Sequence, residues 1–185
     1  MFKINTFIVE FCNGDERQIS LDDSLRLIEI FEHRKFTPEY IQMHVTIQYN
    51  DQIVVGYAVP SGLDLWEQTY KHAVEGYLNE RNVETMYGID PYILKLISSN
   101  RNLLEFSIVG DWEPIEVFAQ AVLPEREFLD AILDGAEQFW KVLLEFKVFE
   151  EKKFRESTPS DYPLQMIEEI NELRERVKLL NRHEN

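Results

Sequence analysis

The feature that most limits the fold is a hairpin pattern that occurs twice, each time directly before a helical pattern. Alternating or β-branched segments predict four strands, at residues 44–50, 53–59, 103–109 and 115–122. Asn50-Asp51 supplies turn chemistry between the first two segments, and residues 110–114 form a longer connection between the other two. An apolar helical stripe follows each pair. This order predicts antiparallel strands combined with packed helices.

The first helical stripe contains Trp66, Tyr70, Ala73, Val74 and Tyr77, and the second runs from Glu125 to about Phe149. A fifth strand is predicted at residues 3–12, where apolar and polar side chains alternate after the first few positions. Ser20 is a candidate N-cap for a short helix that continues to about Arg34, and the candidates for its apolar side are Leu25, Ile28, Phe31 and Leu27. Residues 90–99 fit either a helix or a strand, and we favour the helix.

The C-terminal part of the chain reads as a connector followed by a helix. Charged and turn-forming residues fill positions 150–162. From residue 163 to about 181, apolar residues recur at spacings of four and three, as in a short coiled-coil seam: Met166, Ile170, Leu173, Val177 and Leu180. Two heptads are too short for an independent coiled coil. We therefore expect this helix to pack on its own domain, with a homodimer through 163–181 as the alternative.

These elements predict an α+β fold with one domain at residues 1–149. We expect a largely antiparallel sheet of about five strands, made from the two hairpins and the N-terminal strand. The helices should lie on one face of that sheet, with the C-terminal helix (residues 163–185) appended. Residues 44–80 and 103–149 would then form a ββα pseudo-repeat, if the hairpin-helix likeness reflects duplication.

The two helical stripes also contain similar short sequences. Residues 67–75 read EQTYKHAVE and residues 137–145 read EQFWKVLLE. Duplication, a shared binding element and ordinary helix composition could each explain the likeness, and we favour composition because Glu, Gln and Lys are common on helix surfaces. Since Tyr70 and Trp140 both fall on apolar stripes, we expect both to be buried against the same sheet.

Charge limits the classes of partner. The chain of 185 residues has 34 acidic and 19 basic side chains, a formal net charge of −15. Binding to nucleic acid or an anionic membrane needs positive surface, so neither is expected. The single cysteine, Cys12, has no thiol partner and reads as a small strand residue in a reducing compartment. Without a secretory signal or an apolar span, we expect a cytoplasmic protein.

Acidic residues are densest at positions 102–140, which contain nine acidic side chains and one basic side chain, Arg126. One reading is a solvated face with carboxylates near a helix N-terminus. The other is a surface for a basic protein, with Trp112 in a loop between two acids as an aromatic anchor. On that second reading the partner-binding residues are Asp111, Trp112, Glu113, Glu116, Glu127, Asp130 and Asp134. A Trp112 folded back over the sheet edge is the alternative for that residue.

Catalytic chemistry has little support in the sequence. His33, His44, His72 and His183 are scattered, and His72 with Glu75 supplies at most two metal ligands. The sequence contains neither a phosphate-binding loop nor a dinucleotide fingerprint nor a nucleophile elbow. We therefore expect no metal, no cofactor and no enzymatic activity.

The function that fits best is a small acidic binding protein that masks a basic toxin or nuclease, as bacterial immunity proteins and antitoxins do. The alternative is a structural or regulatory module that dimerises through its C-terminal helix. A small-molecule enzyme without a recognisable motif is the least favoured of the three.

Overall fold

The computed structural model describes residues 1–12, 15–31, 41–88, 91–100, 102–151 and 159–180. Its strands are β1 (Phe2–Cys12), β2 (Asp15–Ser20), β3 (Gln42–Tyr49), β4 (Gln52–Val55), β5 (Pro60–Gly62), β6 (Asn82–Met86), β7 (Tyr92–Ser98), β8 (Leu103–Gly110) and β9 (Val117–Pro124). Its helices are α1 (Ser24–Phe31), a π-helical segment (Leu65–Thr69), α2 (Tyr70–Glu80), α3 (Glu125–Glu145), α4 (Val148–Glu151) and α5 (Tyr162–Leu179).

The strands form two antiparallel sheets. The first has the order β2-β1-β3-β4, with β5 also paired to β3, and the second has the order β6-β7-β8-β9. β4 lies against β9, so the two sheets meet there. The α+β class, the antiparallel pairing and the C-terminal helix are confirmed. The described residues hold more strands than the sequence predicted, because alternation marks a strand without showing which strand it pairs with.

Residues 92–98 are a strand, so the favoured helix is wrong there. Leu94 and Leu96 point into the core, while Ile97 is exposed on the opposite face. An apolar run this short fits a strand and a helix equally well by composition, and pairing with β6 and β8 decides the outcome. Asp90, the proposed helix start, lies outside the described residues.

Helix α1 begins later than predicted. Asp23 caps it, since its Oδ1 accepts a hydrogen bond of 3.2 Å from the backbone N–H of Arg26. The buried side consists of Leu27, Ile30 and Phe31, whereas Leu25, which we expected on that side, is 82% exposed. The predicted end at Arg34 lies outside the described residues. The strand predicted at 53–59 also shortens, because β4 ends at Val55.

One apolar core joins both sheets to the helices. Phe128 of α3 packs against Phe2 of the first sheet and Phe106 of the second, with ring centroids 5.7 and 5.3 Å apart. The burial predicted for Tyr70 and Trp140 is confirmed, whereas their packing against the same sheet stays a prediction. Tyr70 lines a small internal cavity with residues of both sheets. The ring neighbours of Trp140 lie in α3, α4 and α5, and they include Phe149 and Tyr162.

Helix α5 lies against α3 and α2. Four of its predicted seam residues are buried, namely Met166, Ile170, Leu173 and Val177, and Leu180 is partly buried. The seam therefore packs on the chain's own domain. Dimerisation through residues 163–181 along this seam would require α5 to leave that position.

Candidate functional site

The loop between β8 and β9 forms an exposed acidic tip, defined here as residues 111–116. Its base is held by backbone hydrogen bonds. Gly110 N–H donates to the Glu116 carbonyl at 2.8 Å, and Asp111 N–H donates to the Pro91 carbonyl at 2.8 Å. The second bond ties this loop to the start of β7. Pro114 follows a cis peptide bond within the tip.

Trp112 does not project freely from the acidic tip. Its ring lies edge-on to Tyr92 and Phe118, with centroids 5.9 and 5.7 Å apart, and it covers Gly110. The side chain is 36% exposed. The folded-back alternative therefore describes its position better than a projecting anchor, although about a third of its surface remains available for contact.

Three carboxylates of the acidic tip have no compensating charge. Asp111, Glu113 and Glu116 are all exposed. Within the described residues, none of them lies within ion-pair distance of a basic side chain. Their negative charge is therefore exposed to solvent and to any molecule that approaches the tip.

The other predicted partner-binding residues, Glu127, Asp130 and Asp134, lie on α3. They are separated from the tip because α3 begins at the opposite end of β9. Eight residues of strand span about 23 Å at roughly 3.3 Å per residue. The structure thus divides the seven predicted residues into a tip group and a helix group.

Two of the three carboxylates in the helix group form ion pairs within the chain. Arg174 of α5 binds Asp134 at 2.5 Å and Glu137 at 2.7 Å. Arg126 lies 3.7 Å from Asp130, whose pKa is raised because burial outweighs this attraction. Glu127 is exposed on the first turn of α3. Asp134 and Glu137 therefore contribute their negative charge to the α3–α5 contact.

The two similar sequence stretches both contact α5, a role that we did not assign to them from sequence. Glu67 accepts a hydrogen bond of 2.7 Å from the Tyr162 hydroxyl, and Lys71 donates one of 2.8 Å to Glu169. In the second stretch, Glu137 accepts from Arg174. The hydrogen bond to Glu169 also raises the pKa of Lys71. The first Glu of each stretch and Lys71 thus contact the C-terminal helix, whereas Lys141 pairs with Glu137 within α3.

A second polar site surrounds the buried carboxylate of Glu125. Arg81 forms an ion pair with it and donates to Ser98 Oγ at 3.2 Å. Its guanidinium also lies 5.0 Å from the Tyr77 ring centroid. Burial raises the pKa of Tyr77 to about 12 and outweighs the opposite effect of Ser98. This group ties the end of α2 to the start of α3.

An open pocket of about 440 Å³ lies beside this pair. Its other lining residues are Leu78, Asn102, Arg176, Leu179 and Leu180. The guanidinium of Arg176 donates a hydrogen bond of 2.9 Å to Asn79 Oδ1. The sequence could not show this site, because Arg81 and Glu125 are 44 positions apart.

His72 is exposed, and its proposed fellow ligand Glu75 lies 3.7 Å from Arg176. The described residues contain no group of three or more His, Cys, Asp or Glu side chains arranged to hold a metal. Among those residues, no helix has the length and apolar character needed to cross a membrane.

Comparison of the chain with models of protein families, with curated proteins and with solved structures found no match. Function is therefore inferred from the surface of the molecule itself.

Proposed function

We propose that this protein binds a basic protein through its acidic tip, in the manner of an immunity protein or antitoxin that masks a cationic toxin or nuclease. One observation carries the proposal. Asp111, Glu113 and Glu116 are exposed and uncompensated, whereas Asp134 and Glu137 are neutralised by Arg174. The acidic tip places three such carboxylates within six consecutive residues, next to the partly exposed ring of Trp112.

Charge of this kind acts mainly on association. A net charge of −15 attracts a cationic partner over about one Debye length, roughly 8 Å at physiological salt. The tip carboxylates then meet the basic residues of the partner, and complementary charges accelerate the encounter. The exposed third of Trp112 and the neighbouring Ile115 add apolar contact area once the partner has arrived.

The experiment compares two neutralised variants as baits in affinity capture from the host lysate at low salt. Glu113→Gln/Glu116→Gln removes two charges from the tip. Glu168→Gln/Glu172→Gln removes two exposed charges from α5 and serves as the control. We expect a basic protein that the wild type and the α5 variant both retain, and that the tip variant and high salt both release. Equal retention by the two variants would contradict the proposal.

A further inference from the structure

A row of aliphatic side chains crosses the whole second sheet next to the acidic tip. Met86 of β6 pairs with Ile93 of β7, Ile93 pairs with Val109 of β8, and Val109 pairs with Val117 of β9. Directly paired residues of antiparallel strands project from the same face of a sheet. These four residues, called the aliphatic row below, therefore lie side by side.

The aliphatic row lies on the face that points away from the core. The alternate residues Leu94 and Ile108 are buried on the inner face. Met86 is 50% exposed and Val117 is 55% exposed, at the two ends of the row. Since strands lie about 4.8 Å apart, four of them give the row a length of roughly 14 Å.

Polar groups border the aliphatic row on both sides. On one side, Val117 directly follows Glu116, and Val109 lies two positions before Asp111. On the other side, the next outward-facing register contains Glu84, Lys95, Ser107 and Gln120. Lys95 and Glu84 form an ion pair of 2.8 Å there. The surface is thus an apolar strip with uncompensated acids along one border only.

We propose that the aliphatic row and the acidic tip together bind a basic amphipathic helix of the partner protein. The inference rests on the proposed function and specifies the element that would be recognised. A helix of about ten residues is roughly 15 Å long, which matches the row. Its apolar residues at i, i+3/i+4 and i+7 would lie along the strip. Lysine or arginine residues beside that apolar face would then reach Asp111, Glu113 and Glu116.

Charge favours a cationic helix over two other possible occupants of this surface, an anionic bilayer and a second copy of the chain. An anionic bilayer would place its phosphates beside the tip carboxylates. A second copy of the chain would bring another net charge of −15 to the same surface. A cationic helix satisfies both the apolar strip and the acidic border.

The test uses two synthetic peptides that contain only leucine and lysine, in equal composition and length. One has helical amphipathic periodicity, and the other has the same residues in a non-periodic order. The proposed function alone predicts similar binding, because both peptides carry the same charge. The inference predicts that the periodic peptide binds at least about tenfold more tightly, measured by calorimetry at low salt.

Paired variants locate the preference on the protein. Val117→Ser shortens the apolar strip, whereas Val122→Ser removes a valine of similar exposure (57%) from the same face at the other end of β9. We expect the Val117→Ser variant to lose most of its preference for the periodic peptide over the non-periodic one. The Val122→Ser variant should keep that preference. Thermal unfolding of both variants separates lost binding from lost folding.

The outcomes separate the two proposals. Equal affinities for the two peptides, or equal effects of the two serine variants, would overturn the aliphatic row and leave the acidic tip standing. If neither peptide binds, the proposed function is contradicted as well. Binding to neutral or anionic vesicles, or concentration-dependent dimerisation lost in Val117→Ser, would assign the row to a different occupant and overturn the inference.

Discussion

The indole nitrogen of Trp140 donates a hydrogen bond of 2.6 Å to the backbone carbonyl of Trp66. The Trp66 indole in turn donates one of 3.0 Å to Thr6 Oγ1. Both side chains are buried. The helix after the second hairpin is thereby connected through the π-helical segment to strand β1. This chain of bonds joins the two halves of the fold at the centre of the core.

Replacing Trp140 by Phe should destabilise the fold by about 2–4 kcal/mol. The change removes a buried ring and leaves the Trp66 carbonyl without this donor, and an unsatisfied buried group alone costs about 1–3 kcal/mol. Denaturant unfolding measures the difference. Trp112→Phe is the control and should cost less than about 1 kcal/mol, because its ring is partly exposed. Equal losses of unfolding free energy in the two variants would contradict a specific stabilising role for the Trp140–Trp66 hydrogen bond.

Glu137 should stabilise the protein in a pH-dependent way. Hydrogen bonds from Lys141 first, and the charge of Arg174, lower its pKa below the ordinary 4.5. A carboxyl with a lowered folded pKa contributes fully above its unfolded pKa and loses that contribution as the pH falls through the folded value. Glu137→Gln should therefore cost about 1–2 kcal/mol at pH 7. The cost should shrink as the pH falls below about 4.5.

Unfolding of wild type and Glu137→Gln across this range tests that expectation. The control is Glu168→Gln, which changes an exposed carboxylate on α5. Its effect should stay within about 0.5 kcal/mol at every pH. A cost at Glu137 that does not depend on pH would contradict an ionic role for this side chain.

Helix α5 should be an integral part of the domain. Ile170 is fully buried in the seam, and Ile170→Ala should cost about 2–4 kcal/mol, since it removes apolar contacts and leaves a cavity. Leu164 lies on the same helix but is 46% exposed, so Leu164→Ala should cost less than about 1 kcal/mol. Chemical denaturation of both variants measures the contrast. Similar small effects would indicate that α5 is only loosely attached.

Gly110 should be required for the position of Trp112. A Cβ atom at residue 110 would lie 2.5 Å from the Trp112 ring, closer than such atoms approach in real structures. Gly110→Ala should therefore displace the ring and increase acrylamide quenching of tryptophan fluorescence, because Trp66 and Trp140 are buried. At Gly56 the nearest atom is 3.7 Å from the added Cβ, so Gly56→Ala should leave quenching unchanged. Unchanged quenching in Gly110→Ala would contradict the packed position.

Sequence periodicity predicted those elements whose pattern reflects burial directly. The stripe from Trp66 to Tyr77 and the seam of α5 are buried as expected. Strand β7 was the less favoured of two alternatives, because Tyr92 to Ile97 is a short apolar run that fits a helix and a strand equally well. The division into two sheets depends on which strands pair, and pairing is a long-range property that local alternation does not contain.

The candidate site was predictable only in part. The density of acids at 102–140 identified the acidic tip, but it gave the same weight to Asp134, which pairs with Arg174 forty positions later. Because the sequence does not show which charges neutralise each other, the uncompensated and the paired carboxylates look alike. The aliphatic row was missed for a related reason. Met86, Ile93, Val109 and Val117 become neighbours only through strand register.

Mapping of backbone amide and methyl chemical shifts is the most direct test of the central claim. The protein is titrated with the periodic leucine–lysine peptide at low salt. The largest changes should fall on residues 111–117 and on Ile93 and Val109, and Glu113→Gln/Glu116→Gln should weaken the titration several-fold. Changes confined to α3 and α5, or equal titration of wild type and variant, would contradict the claim that the acidic tip is the binding surface.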